Sequence, residues 1–536
     1  MSLKVKYITG VNSQGLVLTD ADLMLLLFIY EHKLLTQKQA YAFYQMINPN
    51  GNSMQSKHGN QEEEKKKAIY LYRAFCNRLN KFEKASLIKR TRYEIVQNTV
   101  IGLNLIELHP KGIEVLYLAG LIDNKNMPRI PKLNLEHTMG IKQSVIEALK
   151  VVYGNEGYSV GVSSRSNRKN QLSYFLYIYD TEEAYYLIGE EPSDYKQTKL
   201  TFYKGENVGR NPRRPYQWPL KEEFISYKDV VWHSYSVIQD YLIERELVEE
   251  FDLPLQPDWI LSQDENTFDI EFDTGSENIE VLLLKIDNYI ELNNLDGSNH
   301  TVCIITLDNS IPTRKFTDVQ IERISNLKDL LVYPEGYWIV EKDVNGKSVK
   351  SVTKDMGKAS DRKILNLREE DLNVYVFSLE RANAIYTKLL NNDYLKHDEV
   401  FKTFYIQQQN NLHLQPASKE EFSEFGLYGI AQFDYPFENI YFNRHNNDLH
   451  LLIPVQLKEG DVKSMDCFGY FCRNVMERIS GFKGGEYATV VGIYETEDEL
   501  LHDISSQQVQ KYSAAAKLYC IENGLFYDVL TKEVIK

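Results

Sequence analysis

Between Lys65 and Arg92 the chain sets ten Lys or Arg against one acid, Glu83, although its 536 residues carry a formal net charge of −15. A stretch this basic in an acidic chain has to keep one face in water or against an anion and bury its apolar residues on the other. Its apolar positions are Ile69, Tyr72, Phe75, Cys76, Leu79 and Phe82. They recur mostly at steps of three, which is the period of a helix. The polar face carries Lys66, Lys67, Tyr70, Arg73, Asn77, Arg78 and Lys81.

The flanking sequence says what this helix belongs to. Thr19 and Asp20 precede the apolar run ADLMLLLFIYEH, a capped helix start, and Thr36 is a second cap ahead of QKQAYAFYQMI. Residues 47–64, rich in Asn, Gly, Ser and charge, read as a loop. After the basic helix, SLIKRTRYEI and TVIGLNLIELHP read as a β-hairpin, with His109 entering a further helix, KGIEVLYLAGL. Three helices followed by a hairpin wing is the order of a winged helix, expected over 1–125. In such a module the third helix enters the major groove, where Arg pairs with guanine and Asn with adenine. Lys66, Arg73, Asn77, Arg78 and Lys81 are therefore the expected readers of double-stranded DNA. Lys89, Arg90 and Arg92 are the expected wing contacts to backbone or minor groove. The alternative is a solvated basic face on a protein-binding winged helix.

The rest of the chain is too long for one core and calls for two to four domains in all. Residues 121–135 read as a linker, and SYKDVVWHSYSVIQDYLIERELVEEF reads as helical. Five cysteines, at 76, 303, 467, 472 and 520, are too few and too scattered for a disulfide framework. The pair Cys467 and Cys472 reads as two small buried apolar residues. The longest apolar run, LMLLLFIY at 23–30, is far short of the roughly 20 residues that span a bilayer. No secretory h-region opens the chain, so the expectation is a cytoplasmic protein with no membrane partner. No phosphate-binding loop, dinucleotide fingerprint or hydrolase triad spacing is visible. The cluster of Arg210, Arg213 and Arg214 beside Tyr216 and Trp218 could stack on single-stranded bases, and reads more simply as a surface loop.

One further segment carries chemistry. Asp258 follows Pro257 at a strand start, Glu271 and Asp273 alternate along FDIEFD and so share a face, and Lys285 falls on the helix that follows. Three carboxylates and a lysine meeting at a strand end would hold Mg²⁺ through Asp258, Glu271 and Asp273 and activate water for phosphodiester cleavage. The pattern resembles the PD-(D/E)xK nuclease arrangement, with a departure: Asp273 occupies the lysine position, and Lys285 would have to replace it. A second segment echoes this order. There Gln456-Leu457-Lys458 ends a strand, Asp448 and Asp434 lie upstream, a helix follows at 461–475, and YATVVGIYE forms the next strand.

These elements together resemble the replication-relaxation family of plasmid and mobile-element proteins, in Pro257-Asp258, Ile270-Glu271-Phe272-Asp273 with Gly275, Lys285 through Tyr289, and the linker stretch Leu133–His137. The resemblance covers residues 15–310. It implies a winged helix joined to a PD-(D/E)xK-like domain and a role in replication, copy control or transfer. The resulting expectation is a multidomain α/β protein. It has a winged helix over 1–125, a restriction-endonuclease-like domain over 126–315, and a C-terminal α/β domain over 316–536 that could repeat the second. Double-stranded DNA is the expected partner. A homodimer fits two-fold half-sites, and replication or transfer proteins follow from the resemblance. Two alternatives remain open at this point: a Mg²⁺-dependent endonuclease or nickase targeted by the winged helix, and a transcription regulator with a sensory C-terminal half.

Overall fold

Thr19 fixes where the first helix begins. Its hydroxyl accepts the Asp22 amide (3.3 Å), and the Asp22 carboxylate accepts the Thr19 amide (2.7 Å), so two otherwise orphan donors are satisfied by one pair. Thr36 and Gln39 repeat the exchange at the next helix, with Thr36 Oγ1 accepting from the Gln39 amide (3.1 Å) and Gln39 Oε1 accepting from the Thr36 amide (3.0 Å). The structure is a computed structural model. It describes residues 4–9, 16–47, 61–94, 102–118, 122, 125–127, 135–153, 177–179, 183–187, 230–233, 257–263, 266–275, 278–296, 299–308, 320–332, 337–344, 347–354, 362–363, 367, 370–416, 440–445, 448–478, 486–503 and 514–535. The chain is a multidomain mixed α/β protein that divides into two units. The first comprises 1–237 with 261–264 and 311–316, the second 238–260 with 265–310 and 317–536.

In the first unit the described elements run β1 (Lys4–Thr9), β2 (Leu16–Thr19), α1 (Asp20–His32), β3 (Leu35–Thr36), α2 (Gln37–Ile47), α3 (Gln61–Lys84), β4 (Ile88–Glu94), β5 (Gly102–Leu108), α4 (Pro110–Leu118), α5 (Leu135–Tyr153), β6 (Tyr177–Tyr179), β7 (Glu183–Leu187) and β8 (Val230–His233). Helix α1 is buried from Leu23 to Ile29 because it has apolar side chains all the way round. Phe28 stacks on Phe43 of α2 (3.9 Å between ring centroids), and Tyr41 and Tyr44 of α2 meet Phe75 of α3. Strands β3, β5 and β4 form an antiparallel sheet in that order, with Leu35 opposite Ile106 and Arg92 opposite Asn104. Helix α4 starts hard against this sheet. A Cβ on Gly112 would stand 2.2 Å from the Leu87 carbonyl oxygen, so only glycine fits there.

The second unit contains the start of β9 (Trp259–Gln263), then β10 (Asn266–Asp273), α6 (Ile279–Asp296), β11 (Asn299–Thr306), α7 (Gln320–Val332), β12 (Trp338–Val344), β13 (Lys347–Thr353), β14 (Arg362–Lys363), β15 (Asn373–Ser378), α8 (Ala382–Asn391), α9 (His397–Leu412), β16 (Gln415–Pro416), β17 (Tyr441–His445), β18 (Asp448–Gln456), α10 (Val462–Arg478), β19 (Glu486–Tyr494), α11 (Glu497–Asp503), β20 (Ala516–Cys520) and β21 (Leu525–Tyr527). Strands β10, β11 and β15 are parallel and in register, with Asp273 beside Thr306 and Thr306 beside Ser378. Helix α6 links the first two strands, and α7 lies between the second and third.

The second sheet, β16-β17-β18-β19-β20-β21, repeats that plan: β18, β19 and β20 are parallel, with α10 and α11 in the two crossovers. The step from strand end to helix start is the same in both, Asp273 to Ile279 and Gln456 to Val462. Aligned on that step, Glu271, Lys285 and Tyr289 correspond to Pro454, Phe468 and Cys472. The two sheets meet within this unit. The Val376 amide donates to the Gly460 carbonyl (2.8 Å), and Lys328 of α7 and Asp503 of α11 form an ion pair at 0% and 2% side-chain exposure.

Several expectations need correction. The connection between α1 and α2 is not a plain turn, since it contains β3, whose partners lie some seventy positions downstream. Val230–His233, inside a stretch read as helical, is a strand. Helix α3 starts at Gln61, inside the stretch read as a loop, and Ile69, assigned to its buried stripe, is 53% exposed. Helix α5 packs on α2, whose Gln39 side chain donates to the Met139 carbonyl (2.8 Å). The Arg210–Trp218 cluster and Asp434 lie outside the described residues.

Candidate nucleic-acid interface and carboxylate cluster

Helix α3 is held to its unit by its second half. Phe75, Leu79 and Phe82 are buried, and the Gln37 side-chain amide donates to Tyr72 Oη (2.9 Å) and Cys76 Sγ (3.1 Å). The helix repeat then decides which polar residues point away. Lys66, Tyr70, Arg73, Asn77 and Lys81 follow one another at steps of three or four and form one exposed stripe. Arg78 is out of phase with that stripe and turns inward. Its Nε donates to Asp22 Oδ1 (3.0 Å), its Nη2 pairs with the other carboxylate oxygen, and its guanidinium lies 5.0 Å from the Phe82 ring centre. Arg78 thus secures a buried carboxylate on α1 and is not part of the exposed stripe.

The hairpin residues divide in the same way. Arg90 is tied to α3 through Glu83 (Nε to Oε2, 2.9 Å) and Asn80 (2.6 Å). Lys89 is exposed and paired across the hairpin with Glu107 (2.8 Å). Arg92 is exposed on the same face of β4 as Arg90. Its cross-strand neighbour Asn104 donates to the Gln37 side-chain oxygen (3.4 Å). The exposed stripe of α3 is therefore Lys66, Tyr70, Arg73, Asn77 and Lys81, and Arg92 is exposed on β4.

The carboxylates of the second unit sit where their alternation puts them. Asp269, Glu271 and Asp273 face the same side of β10 and are all buried. Helix α6 packs on that side. Lys285 and Tyr289, one turn apart, both reach Glu271: Lys285 Nζ to Oε2 at 2.7 Å and Tyr289 Oη to Oε1 at 2.9 Å. Asp258 stands close enough to Glu271 to repel it, and its Oδ2 accepts the Phe272 amide (2.8 Å). Burial pushes the Glu271 carboxyl up to about 8 against the opposing pull of Lys285, and burial together with Glu271 drives the Tyr289 phenol well above its ordinary range.

Asp273 is turned to other work. It forms a bidentate pair with Arg323 of α7 (Nη2 to Oδ1, 2.8 Å) and caps the Gly275 amide (2.9 Å). Asp269 pairs with His300 (2.7 Å).

Of the expected catalytic residues, the fold brings Asp258, Glu271 and Lys285 together and diverts Asp273. The expected Mg²⁺ ligands do not fit a cation. Glu271 keeps its proton up to about pH 8 and is hydrogen-bonded to Lys285 and Tyr289, Asp273 is paired with Arg323, and among the described residues no three His, Cys, Asp or Glu side chains are grouped to hold a metal ion. Arg323, Asp269 and His300 were missed. Asp269 could have been found, because it continues the alternation of FDIEFD.

Among the described residues the echoed segment forms no such cluster. Asp448 is first in β18 and Gln456 last, which places them about 26 Å apart in an extended strand. Gln456 Nε2 donates to the Leu395 carbonyl (2.9 Å), and Lys458 Nζ lies 5.1 Å from the Tyr394 ring centre, so both hold the α8–α9 connection over the end of the second sheet. Cys472 is buried and Cys467 half-buried on the α10 side of that core.

No known protein family, curated protein or solved structure matches the chain. No helix among the described residues is long and apolar enough to cross a membrane.

Proposed function

We propose that this chain is a sequence-specific DNA-binding protein of the replication-relaxation type, acting in replication, copy control or transfer of a plasmid or mobile element. Residues 1–125 serve as a winged helix, and the domain that follows over 126–315 as a non-catalytic, nuclease-like body whose α/β plan the C-terminal domain repeats. The observation that carries the reading is the α3 stripe. Lys66, Arg73, Asn77 and Lys81 are exposed along one face of a helix whose other face is fixed to α1, α2 and a β3-β5-β4 sheet. Cations on a rigid, protruding helix neutralise phosphates, and Arg and Asn between them have the donors that base edges accept. The non-catalytic reading is supported by Glu271, which burial keeps protonated up to about pH 8, and by Asp273, whose charge is answered from within the protein by Arg323.

The test is a mobility-shift titration over a range of salt, on duplexes selected from a random library with the full chain. Arg73→Ala with Lys81→Ala should abolish the shift at physiological salt and lower the salt slope by about 2. An unchanged affinity and slope would remove α3 as the reader. The endonuclease reading is favoured by one observation, the meeting of Asp258, Glu271 and Lys285. Nicking of a supercoiled plasmid in Mg²⁺ or Mn²⁺ that disappears in Asp258→Ala would establish it in place of the non-catalytic one.

A further inference from the structure

The cationic face of α3 carries one aromatic ring in its middle. Tyr70 is 71% exposed, the most exposed large apolar side chain among the described residues, and Ile69 beside it is 53% exposed. Packing does not account for Tyr70, since α3 is anchored through Phe75, Leu79 and Phe82 and through the Gln37 contacts to Tyr72 and Cys76. It lies on the stripe between Lys66 and Arg73.

The dimensions of that stripe match a groove. Lys66 and Lys81 stand about 22 Å apart along the helix, far enough to pass both edges of a major groove about 12 Å wide and meet phosphates on either side. Tyr70, Arg73 and Asn77 lie between them over about 10 Å, the length of roughly three base-pair steps. Arg and Asn have hydrogen-bonding partners on guanine and adenine, whereas an apolar ring edge does not. The apolar group that the major groove offers is the C5-methyl of thymine.

We propose that Tyr70 is a specificity-determining residue that packs on a thymine methyl group, so that the DNA target carries a required thymine within one to three base pairs of those facing Arg73 and Asn77. This rests on the reading of α3 as the DNA-contacting helix. Loss of a single buried methyl contact weakens binding by about three- to fivefold.

The probe is a set of 30-base-pair duplexes recovered from a random library by the full-length protein, with each thymine in turn replaced by deoxyuridine, and binding is read by fluorescence anisotropy. One replacement should weaken the unaltered protein by about that factor. Tyr70→Ala should bind the thymine duplex correspondingly less well and no longer distinguish it from the deoxyuridine duplex, whereas Arg73→Ala should weaken both equally. If no replacement matters, or if Tyr70→Ala still discriminates, the thymine contact is wrong, while a loss in Arg73→Ala leaves the DNA reading standing. If Tyr70→Ala instead converts a dimer to a monomer in sedimentation with discrimination unchanged, the ring belongs to a self-interface and the proposal falls. If the protein recovers no duplex at all, both proposals fall together.

Discussion

The pair between Lys328 and Asp503 allows a sharp test of what joins the two sheets of the second unit. Both side chains are buried, and Asp503 also accepts the Gly460 amide through Oδ1 (2.7 Å) and the Tyr494 hydroxyl through Oδ2 (2.7 Å). Asp503→Asn keeps one oxygen for the Gly460 amide and turns an NH2 towards the Tyr494 hydroxyl, which can accept from it, but leaves the Lys328 ammonium in the interior without its counter-charge. Breaking a buried pair from one side costs about 3–5 kcal/mol. Lys328→Met leaves the carboxylate with two neutral donors and should cost less, about 1–3 kcal/mol. In the double variant neither charge remains and most of the loss should return. The assay is hydrogen exchange by mass spectrometry on the full chain, following peptides from β18 and β19. A loss of 3–5 kcal/mol corresponds to exchange faster by roughly two to four orders of magnitude where it proceeds through unfolding of the unit. The double-mutant cycle isolates the coupling. If the two single effects simply add, the pair does not join the sheets and the reasoning is refuted.

Three further outcomes follow from other contacts. Arg78→Ala should lower the stability of the first unit by about 1–3 kcal/mol in thermal unfolding, because it leaves the buried Asp22 carboxylate with only the neutral donors of Thr19 and Tyr44, whereas Arg73→Ala should stay within about 0.5 kcal/mol. Glu271 binds its proton up to about pH 8 when folded, against an ordinary value of 4.5. The folded second unit therefore carries the extra proton between these values, and its stability falls as pH rises from about 5 to 8 and then levels off. Denaturant midpoints across that window should be flatter in Glu271→Gln, with the residual slope coming from Glu459, which burial raises to about 7. Gly112→Ala should destabilise the first unit by about 2–3 kcal/mol in the same denaturation assay, since the new Cβ meets the Leu87 carbonyl oxygen.

What could be read in the sequence was local. Thr19 and Thr36 announce their helices because a cap is an exchange between residues three apart, and the basic stripe of α3 shows in its own periodicity. Strand β3 could not be read, because Leu35 and Thr36 become a strand only through Leu105 and Ile106. Arg73 and Arg78 look equivalent in the sequence. Their difference is set by Asp22, 56 positions earlier, which the fold brings beneath one and not the other. The same holds in the carboxylate cluster. The alternation of Glu271 and Asp273 and the helical place of Lys285 were legible, but Arg323, fifty positions on, decides that Asp273 serves α7. The common order of the two sheets was visible as strand, helix, strand. That one holds a charged cluster where the other has Pro454, Phe468 and Cys472 follows only from the register.

The buried pair on α7 and α11 also has a meaning in time. Lys328 leaves the ribosome 175 residues before Asp503. At a synthesis rate of 5–20 residues per second, this lysine waits about 10–30 s for the carboxylate that its burial requires. Lys388 waits 107 residues for Glu495. During that interval α7 and α8 cannot settle into their final environment, so the nascent second unit remains open on this side until α11 has emerged. A stalled or truncated chain ending before Glu495 would keep that side open, presenting unpaired lysines and uncovered apolar surface to whatever chaperone or protease meets it first.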